Sequence, residues 1–159
     1  MTAYRTTLIG ATITAALMAG LYYAFVCAVM PGLARGDDRT YVRAMNQINL
    51  AIQNPGFFLS FAGAFVLSGL AWWFSRTSQP GASGLLLAGF LLYLGTLVLT
   101  MAVNVPLNNR LARAGSAAAE LARARHDFSL VWNASNAARG LLCLASLLCL
   151  VLACVRTTP

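Results

Sequence analysis

The segment Trp132-Asn-Ala-Ser-Asn136-Ala-Ala-Arg139-Gly is followed by an apolar run from Leu141 to Val155. A helix needs about 20 apolar residues to cross a bilayer, so this segment predicts a membrane-spanning helix with an arginine near one end. Trp132, Asn136 and Arg139 are spaced i, i+4 and i+7, which places them on one face of that helix. An ionisable residue in a span usually faces a bundle interior or a wet cavity, and it therefore indicates a functional site.

Three further stretches of the chain are also apolar enough to cross a bilayer. The 159-residue chain is 59% hydrophobic and 9% charged, whereas a soluble domain carries about 25% charged residues. We therefore expect an all-α fold, a four-helix transmembrane bundle that forms one integral membrane domain over residues 1–159. The expected spans are approximately residues 8–30, 57–74, 84–103 and 132–155.

Two short amphipathic or soluble helices are expected on one side of the membrane, outside the spans. The first follows Asp37 and Asp38, which can cap a helix that begins near Thr40. The second is rich in alanine and covers residues 116–126. Both segments connect consecutive spans, so they predict surface helices packed on the same end of the bundle.

Proline and glycine predict where the long helices are interrupted. Helix breaks are expected at Pro31, at Asn54-Pro55 and at Pro106, because proline lacks the N–H that continues a helix. Residues 76–83 contain glycine, proline and serine and are expected to form a short turn between antiparallel spans two and three.

Small residues on the second span indicate close helix packing. Ser60, Ala64 and Ser68 are spaced four apart and permit another helix to approach closely. The pattern is compatible with a partner helix in the same chain and with a homo-oligomer.

The net charge of +7 comes from arginines, since the chain has no lysine. Most of these arginines lie in short connections, where topology signals and lipid headgroup contacts place them, so we expect the lipid bilayer as a partner and no nucleic acid. The rule that positively charged loops stay inside predicts that residues 31–56 and 104–130 are cytoplasmic and that both termini lie outside. The arginines of these two segments are Arg35, Arg39, Arg43, Arg110, Arg113, Arg123 and Arg125.

The usual metal-binding and catalytic patterns are absent from the sequence. The four cysteines lie within the expected spans, and no CxxC motif or Cys/His pair occurs, so we expect no metal and no bound cofactor. The one histidine, His126, precedes Asp127, and this pair fits either proton transfer or a solvated loop. Phosphate loops and paired carboxylates do not occur.

Polar side chains nevertheless converge on one side of the membrane. The ends of spans one and three and the starts of spans two and four must meet there, and Asn104 and Asn108 share a helix face. One interpretation is a pocket in which Arg139 binds an anionic or carbonyl-bearing ligand. The alternative is structural: the amides join the helices by hydrogen bonds, and Arg139 reaches the headgroups or backbone carbonyls.

Four motifs, in this order, resemble the anthrone oxygenase-like family of small four-helix membrane proteins. Many members are bacterial and belong to a domain of unknown function, and the named fungal members oxidise anthrones to anthraquinones. Where the family pattern often has an aromatic residue and a histidine beside the asparagine, this chain has Ser135 and Ala137. The motifs are Val29-Met30-Pro31-Gly32-Leu33, Ala44-Met45-Asn46-Gln47-Ile48-Asn49 with Asn54-Pro55-Gly56, Asn104-Val105-Pro106-Leu107-Asn108, and Trp132 with Asn136 and Arg139.

The resemblance implies a bacterial inner-membrane protein, and two hypotheses for its function remain. The first is a cofactor-independent or quinone-linked oxidoreductase that acts on a phenolic, polycyclic or quinone-like substrate. The second is a non-enzymatic membrane subunit, or a small-ligand or lipid-binding protein, in which the polar cluster is structural. For the first hypothesis, the predicted catalytic residues are Arg139, Asn136, Asn108 and Asn104, and the predicted substrate-binding residues are Trp132, Asn49, Asn46 and Tyr22.

Overall fold

The structure is a computed structural model in which residues 2–157 are described. Residue 1 and residues 158–159, the ends of the predicted domain, lie outside the described residues. Within residues 2–157 the fold is entirely helical, as the sequence predicts. The helices are α1 (Thr2–Ala24), α2 (Met30–Ala34), α3 (Asp38–Ala51), α4 (Pro55–Ser78), α5 (Pro80–Leu99), α6 (Val105–Ala112) and α7 (Ala118–Thr157), with a first π-segment (Phe25–Val29) and a second π-segment (Thr100–Asn104).

Four helical rods of the described chain are long and apolar enough to cross a membrane, which confirms the predicted four-span architecture. They extend further than the sequence indicated because helical residues continue beyond the apolar runs. Helix α1 packs between α4 and α7, and α5 packs between the same two helices on the opposite side. The four rods are Ala3–Ala34, Pro55–Ser78, Pro80–Ala112 and Ala118–Arg156.

Small side chains form much of the bundle interior. Ala11, Ala15 and Ala71 are fully buried, while leucine and isoleucine side chains such as Ile13 and Leu17 are exposed on the outside of the bundle. Lipid is as apolar as these outer residues, so helix association depends on close packing and interhelical hydrogen bonds. Of the predicted small-residue stripe, Ala64 and Ser68 are buried within the chain, on a helix that packs against α1 and α5.

The expected breaks at Pro31 and Pro106 are wrong, because both rods continue through the prolines. Each proline lies just beyond a π-segment, and the residue immediately before the proline bonds five residues back. Met30 N–H donates to Phe25 O, and Val105 N–H donates to Thr100 O. One extra residue per turn accommodates the missing N–H and the bulky ring of proline without ending the helix.

The first short helix is confirmed, and Asp37, one of the two predicted residues, caps its N-terminus. Asp37 Oδ1 accepts a hydrogen bond from Thr40 N at 2.7 Å, and the helix begins at Asp38. The break at Asn54-Pro55 is also confirmed, since Asn54 Oδ1 caps α4 by accepting from Phe57 N at 3.0 Å.

The prediction of a second short helix, separate from the fourth span, is wrong. Residues 118–157 form one helix of 40 residues, because no proline or glycine occurs between residues 116 and 139 to end an alanine- and arginine-rich segment. The expected turn over residues 76–83 is also wrong. Only Gln79 separates α4 from α5, since Pro80 is accommodated in the first turn of a helix.

Candidate functional site

The guanidinium of Arg139 lies inside the bundle between two aromatic rings. Its carbon atom is 4.8 Å from the centre of the Tyr22 ring and 5.7 Å from the centre of the Trp132 ring. Nη1 donates to Thr100 Oγ1 at 3.2 Å, and Nη2 donates to Asn136 Oδ1 at 3.0 Å. Within residues 2–157 no carboxylate pairs with it, so its positive charge is held by aromatic faces and neutral oxygens.

Arg139 is only 7% exposed, so its side chain is enclosed by the bundle. Its described donors reach side chains instead of the backbone carbonyls around Pro106. An arginine buried in a membrane-spanning bundle needs partners supplied by neighbouring helices. Thr100 of the second π-segment and Tyr22 of α1 provide them.

Amide side chains connect the helices around Arg139. Asn136 Nδ2 donates to the Tyr22 carbonyl at 3.3 Å and thereby joins α7 to α1. Asn104 Oδ1 accepts from Ser135 Oγ at 2.7 Å. Trp132 Nε1 donates to Asn108 Oδ1 at 2.8 Å. These bonds fix the amide planes, so the orientation of each remaining polar atom is also fixed.

A cavity of about 590 Å³ lies against this network and is partly open to the outside. Its volume falls in the range of about 300–1,000 Å³ that is typical of small-molecule sites. Side chains from α1, α3, α4, α7 and the second π-segment contribute to its walls. All eight predicted site residues line it, although their catalytic or binding roles stay predictions: Tyr22, Asn46, Asn49, Asn104, Asn108, Trp132, Asn136 and Arg139.

Five buried polar atoms on residues that line the cavity have no hydrogen-bond partner among residues 2–157. They are the Tyr22 hydroxyl, Arg139 Nε, Asn104 Nδ2, Asn49 Nδ2 and Asn46 Oδ1. Buried polar atoms are nearly always paired, so five such atoms around one cavity are candidates for pairing with a ligand or solvent when the enclosing side chains shift. The Tyr22 hydroxyl lies close to Arg139 without a well-formed hydrogen bond to it.

Several lining residues were missed by sequence reasoning. Thr100 is spaced four residues before Asn104, and this spacing was a usable signal for its place on the polar face. Phe57 and Phe61, whose rings stack with centroids 5.2 Å apart, form an aromatic wall that resembles ordinary lipid-facing sequence. Ser135 does not line the cavity, but it donates to Asn104 Oδ1, and the sequence indicates it only as a departure from the family pattern.

Other polar groups lie away from the cavity. His126 Nδ1 is 3.2 Å from Asp127 Oδ1, and the two side chains are 90% and 70% exposed, so the structure places this pair at the surface and not beside Arg139. The described residues contain no cluster of three or more histidine, cysteine or acidic side chains that could hold a metal ion.

These features define a class of protein: a four-span membrane protein with an aromatic and amide-lined cavity around a buried arginine. The family model for anthrone oxygenase matches residues 49–149, which is more than half of the chain and includes most of the cavity walls. The chain belongs to the anthrone oxygenase family. No curated protein and no solved structure matches the chain.

Proposed function

We propose that the protein binds a polycyclic aromatic ketone of the anthrone type in the cavity around Arg139 and accelerates its oxidation by O₂ to the anthraquinone. The observation that carries the proposal is that Arg139 and Asn104, which both line the cavity, each keep one buried donor without a partner, Nε and Nδ2 respectively. Two fixed donors beside flat aromatic walls suit a planar ligand with a carbonyl oxygen at its edge.

The proposed chemistry places developing charge on that oxygen. Loss of a proton from the methylene carbon opposite the ketone converts the anthrone into its enolate, whose negative charge lies largely on the carbonyl oxygen. Donors that are already oriented towards an oxygen stabilise it as the charge develops. The cavity lining contains no carboxylate and no histidine, so the proton passes to solvent at the open side of the cavity.

The oxidation is balanced with O₂ as the oxidant. The electron-rich methylene carbon of the enolate forms a bond to one oxygen atom, and the resulting hydroperoxide takes up a proton. Its O–O bond then breaks while the remaining C–H bond gives up its electron pair. One oxygen atom becomes the second carbonyl of the anthraquinone and the other leaves as water.

The test compares the purified wild-type protein in lipid nanodiscs with Arg139→Ala. Anthraquinone formation from anthrone and O₂ is followed by absorbance, with empty nanodiscs as the background. We expect wild-type turnover above background and a loss of about 10²–10³-fold in Arg139→Ala, as for removal of one oxyanion donor, while the melting temperature stays near the wild-type value. Equal rates with empty and loaded nanodiscs would refute the proposal.

A second function is favoured by the interhelical bonds themselves. Asn136 and Ser135 both join α7 to other rods, which is what a purely structural cluster requires in a non-catalytic ligand-binding or subunit protein. Under this alternative, Arg139→Ala melts clearly lower than the wild type, no ligand restores the melting temperature, and anthrone turnover equals the background.

We also infer that the protein lies in a bacterial inner membrane with both termini outside the cytoplasm. The distribution of arginine along the chain supports this orientation. Residues 31–56 and 104–130 carry seven of the eleven arginines, and loops rich in arginine face the cytoplasm of a bacterial inner membrane. A C-terminal alkaline phosphatase fusion should then be active in a bacterial host, and a C-terminal green fluorescent protein fusion should be dark. The reverse result would place the cavity on the other side of the membrane.

A further inference from the structure

Arg125 connects three segments at the end of the bundle where the cavity lies. Its Nη1 donates to Gly36 O at 2.8 Å and to Asp38 Oδ1 at 3.0 Å, and its Nη2 donates to Ala34 O at 2.7 Å. Its guanidinium carbon lies 4.7 Å from the centre of the Tyr41 ring. One side chain therefore binds the carbonyl end of the first rod and the first turn of α3 at the same time.

These contacts are stronger than those of an ordinary surface arginine. Arg125 is 21% exposed on its side chain, and a cation suits the free carbonyls at a helix C-terminus. Its planar fork reaches two carbonyls and a carboxylate together, which a single ammonium group cannot do. The buried ring of Tyr41 fills the remaining face of the guanidinium.

The same face of α7 carries both Arg125 and the cavity residues. Arg125, Phe128, Trp132 and Arg139 are spaced i, i+3, i+7 and i+14, so they lie along one stripe of a continuous helix. Phe128 contacts the Tyr41 ring edge-on at 6.3 Å and stacks on Trp132 at 5.7 Å. An unbroken row of contacts thus leads from Arg125 to Trp132, which lines the cavity.

Helix α3 forms one wall of the cavity and packs against this row through Tyr41. It contributes the lining residues Asn46 and Asn49, whose buried Oδ1 and Nδ2 atoms respectively have no hydrogen-bond partner. It packs on α7, α6 and α2 but has little contact with α4, and Leu50 near its end is exposed. The contacts of Arg125 therefore hold the N-terminal end of a helix whose other end is weakly packed.

We propose that Arg125 is a positioning residue that holds α3 over the cavity and so sets where Asn46 and Asn49 meet a ligand. The effect on ligand binding rests on the proposed function above, whereas the effect on α3 does not. Arg125 lies about 21 Å along α7 from Arg139, at 1.5 Å per residue, so it acts through α3 and not on the ligand.

Two measurements without any ligand test the position of α3 in nanodiscs. Hydrogen exchange of peptides from residues 38–51 should accelerate about tenfold in Arg125→Gln, with the exchange of α4 and α5 unchanged, because α3 opens locally. Acrylamide quenching of Trp132, in a Trp72→Phe/Trp73→Phe background, should increase several-fold as the cavity loses its cover. Arg123→Gln, a change of an exposed arginine on the same helix, should behave as the wild type.

Anthrone provides the third measurement and a conservative variant provides rescue. In Arg125→Gln the half-saturating anthrone concentration should rise about tenfold, which corresponds to 1.4 kcal/mol, while kcat changes less than about twofold. Arg125→Lys should be intermediate in all three measurements, because it keeps the charge and loses the fork. Loss of kcat alone would contradict a positioning role.

The outcomes separate the two proposals. If wild-type protein does not bind or oxidise anthrone, the proposed function fails, and the exchange and quenching results still decide whether Arg125 holds α3. If exchange in residues 38–51 and quenching of Trp132 are the same in Arg125→Gln and the wild type, the positioning role is overturned. It is also overturned if α3 loosens while anthrone saturation stays unchanged.

Discussion

The guanidinium carbon of Arg139 lies 4.8 Å from the centre of the Tyr22 ring, although the two residues belong to different rods of the bundle. A carboxylate in place of the Tyr22 ring would neutralise Arg139 and remove its attraction for a ligand oxygen. An aromatic face stabilises the cation and leaves its charge in place. The bundle can thus hold an arginine in the membrane while the cavity stays electropositive.

Asn136→Asp should therefore separate stability from activity. The new carboxylate would replace an amide oxygen that accepts from Arg139 at 3.0 Å and would form a charge-assisted pair with it. The new ion pair offsets the lost donation from Asn136 Nδ2 to the Tyr22 carbonyl, so we expect a melting temperature near that of the wild type. Anthrone turnover should fall about tenfold or more, since the charge that would stabilise the enolate is neutralised. Differential scanning fluorimetry and the absorbance assay measure the two effects.

Asn136→Leu is the matched variant for this experiment. It removes the same acceptor without adding charge and leaves Nη2 of Arg139 unpaired, which costs about 1–3 kcal/mol. The expected melting temperature is lower than that of the wild type. Full activity in Asn136→Asp would mean that the positive charge of Arg139 has no part in the reaction.

Trp132→Phe should weaken ligand binding while preserving the aromatic stack. Phenylalanine keeps a ring against Phe128 and Phe25, but it loses the hydrogen bond to Asn108 and part of the cation–π attraction for Arg139. We expect about five- to tenfold weaker anthrone binding and a stability loss of about 1 kcal/mol for the hydrogen bond. Trp73→Phe, a change at an exposed tryptophan of α4, is the control and should alter neither quantity.

The four spans and the amide cluster could be predicted because they depend on local features of the sequence. Apolar length sets the spans, and the fixed side on which each helix begins or ends brings Asn104 and Asn136 together. Whether the helix continues or ends at Pro31 and Pro106 could not be predicted in this way. A proline ends a helix or is absorbed by a π-turn according to the packing of the residues around it, and that packing is a tertiary property.

Pro106→Ala should change the register of the second π-segment. Alanine supplies an N–H that can bond four residues back to Ala102 O and favour regular α-helix, which turns by about 100° per residue. Thr100 would then rotate relative to Arg139 and lose the 3.2 Å hydrogen bond. We expect at least about tenfold lower anthrone turnover with unchanged or increased stability, because proline inside a helix costs about 3 kcal/mol.

The control for the π-segment is Pro55→Ala. Pro55 lies in the first turn of α4, where proline leaves no hydrogen bond unmade, so its replacement should change turnover and melting temperature little. A fully active Pro106→Ala protein would show that the extra residue of the π-turn has no role in placing Thr100.

The placement of Arg125 on the same helix face as Arg139 could not be predicted from the sequence. An arginine in an alanine-rich segment resembles any other positively charged residue between two spans, and the expected break between a surface helix and the fourth span separated it from Arg139. Only the continuity of α7 places the two arginines on one face. Thr100 was missed for a related reason, since a lone threonine in an apolar run is compatible with simple helix packing.

Acid should loosen α3 through Asp37. The backbone N–H of Thr40, and then its side chain, lower the pKa of Asp37 below the ordinary value of 3.8 by hydrogen bonding to the carboxylate. Because the pKa is lower in the folded state, the stabilising effect on α3 is fully present above the ordinary value and is lost as the pH falls through the lowered value. Quenching of Trp132 in the Trp72→Phe/Trp73→Phe background should therefore be constant from neutral pH to about pH 4.5 and increase below about pH 4.

Two substitutions of Asp37 isolate this effect from the other titrating groups near α3. Asn is also a good N-cap and is neutral at every pH, so Asp37→Asn should keep α3 closed and show a smaller rise in quenching in acid than the wild type. Asp37→Ala removes the acceptor for Thr40 and should raise quenching at all pH values. An identical acid response in Asp37→Asn and the wild type would assign the response to another group and remove Asp37 from the control of α3.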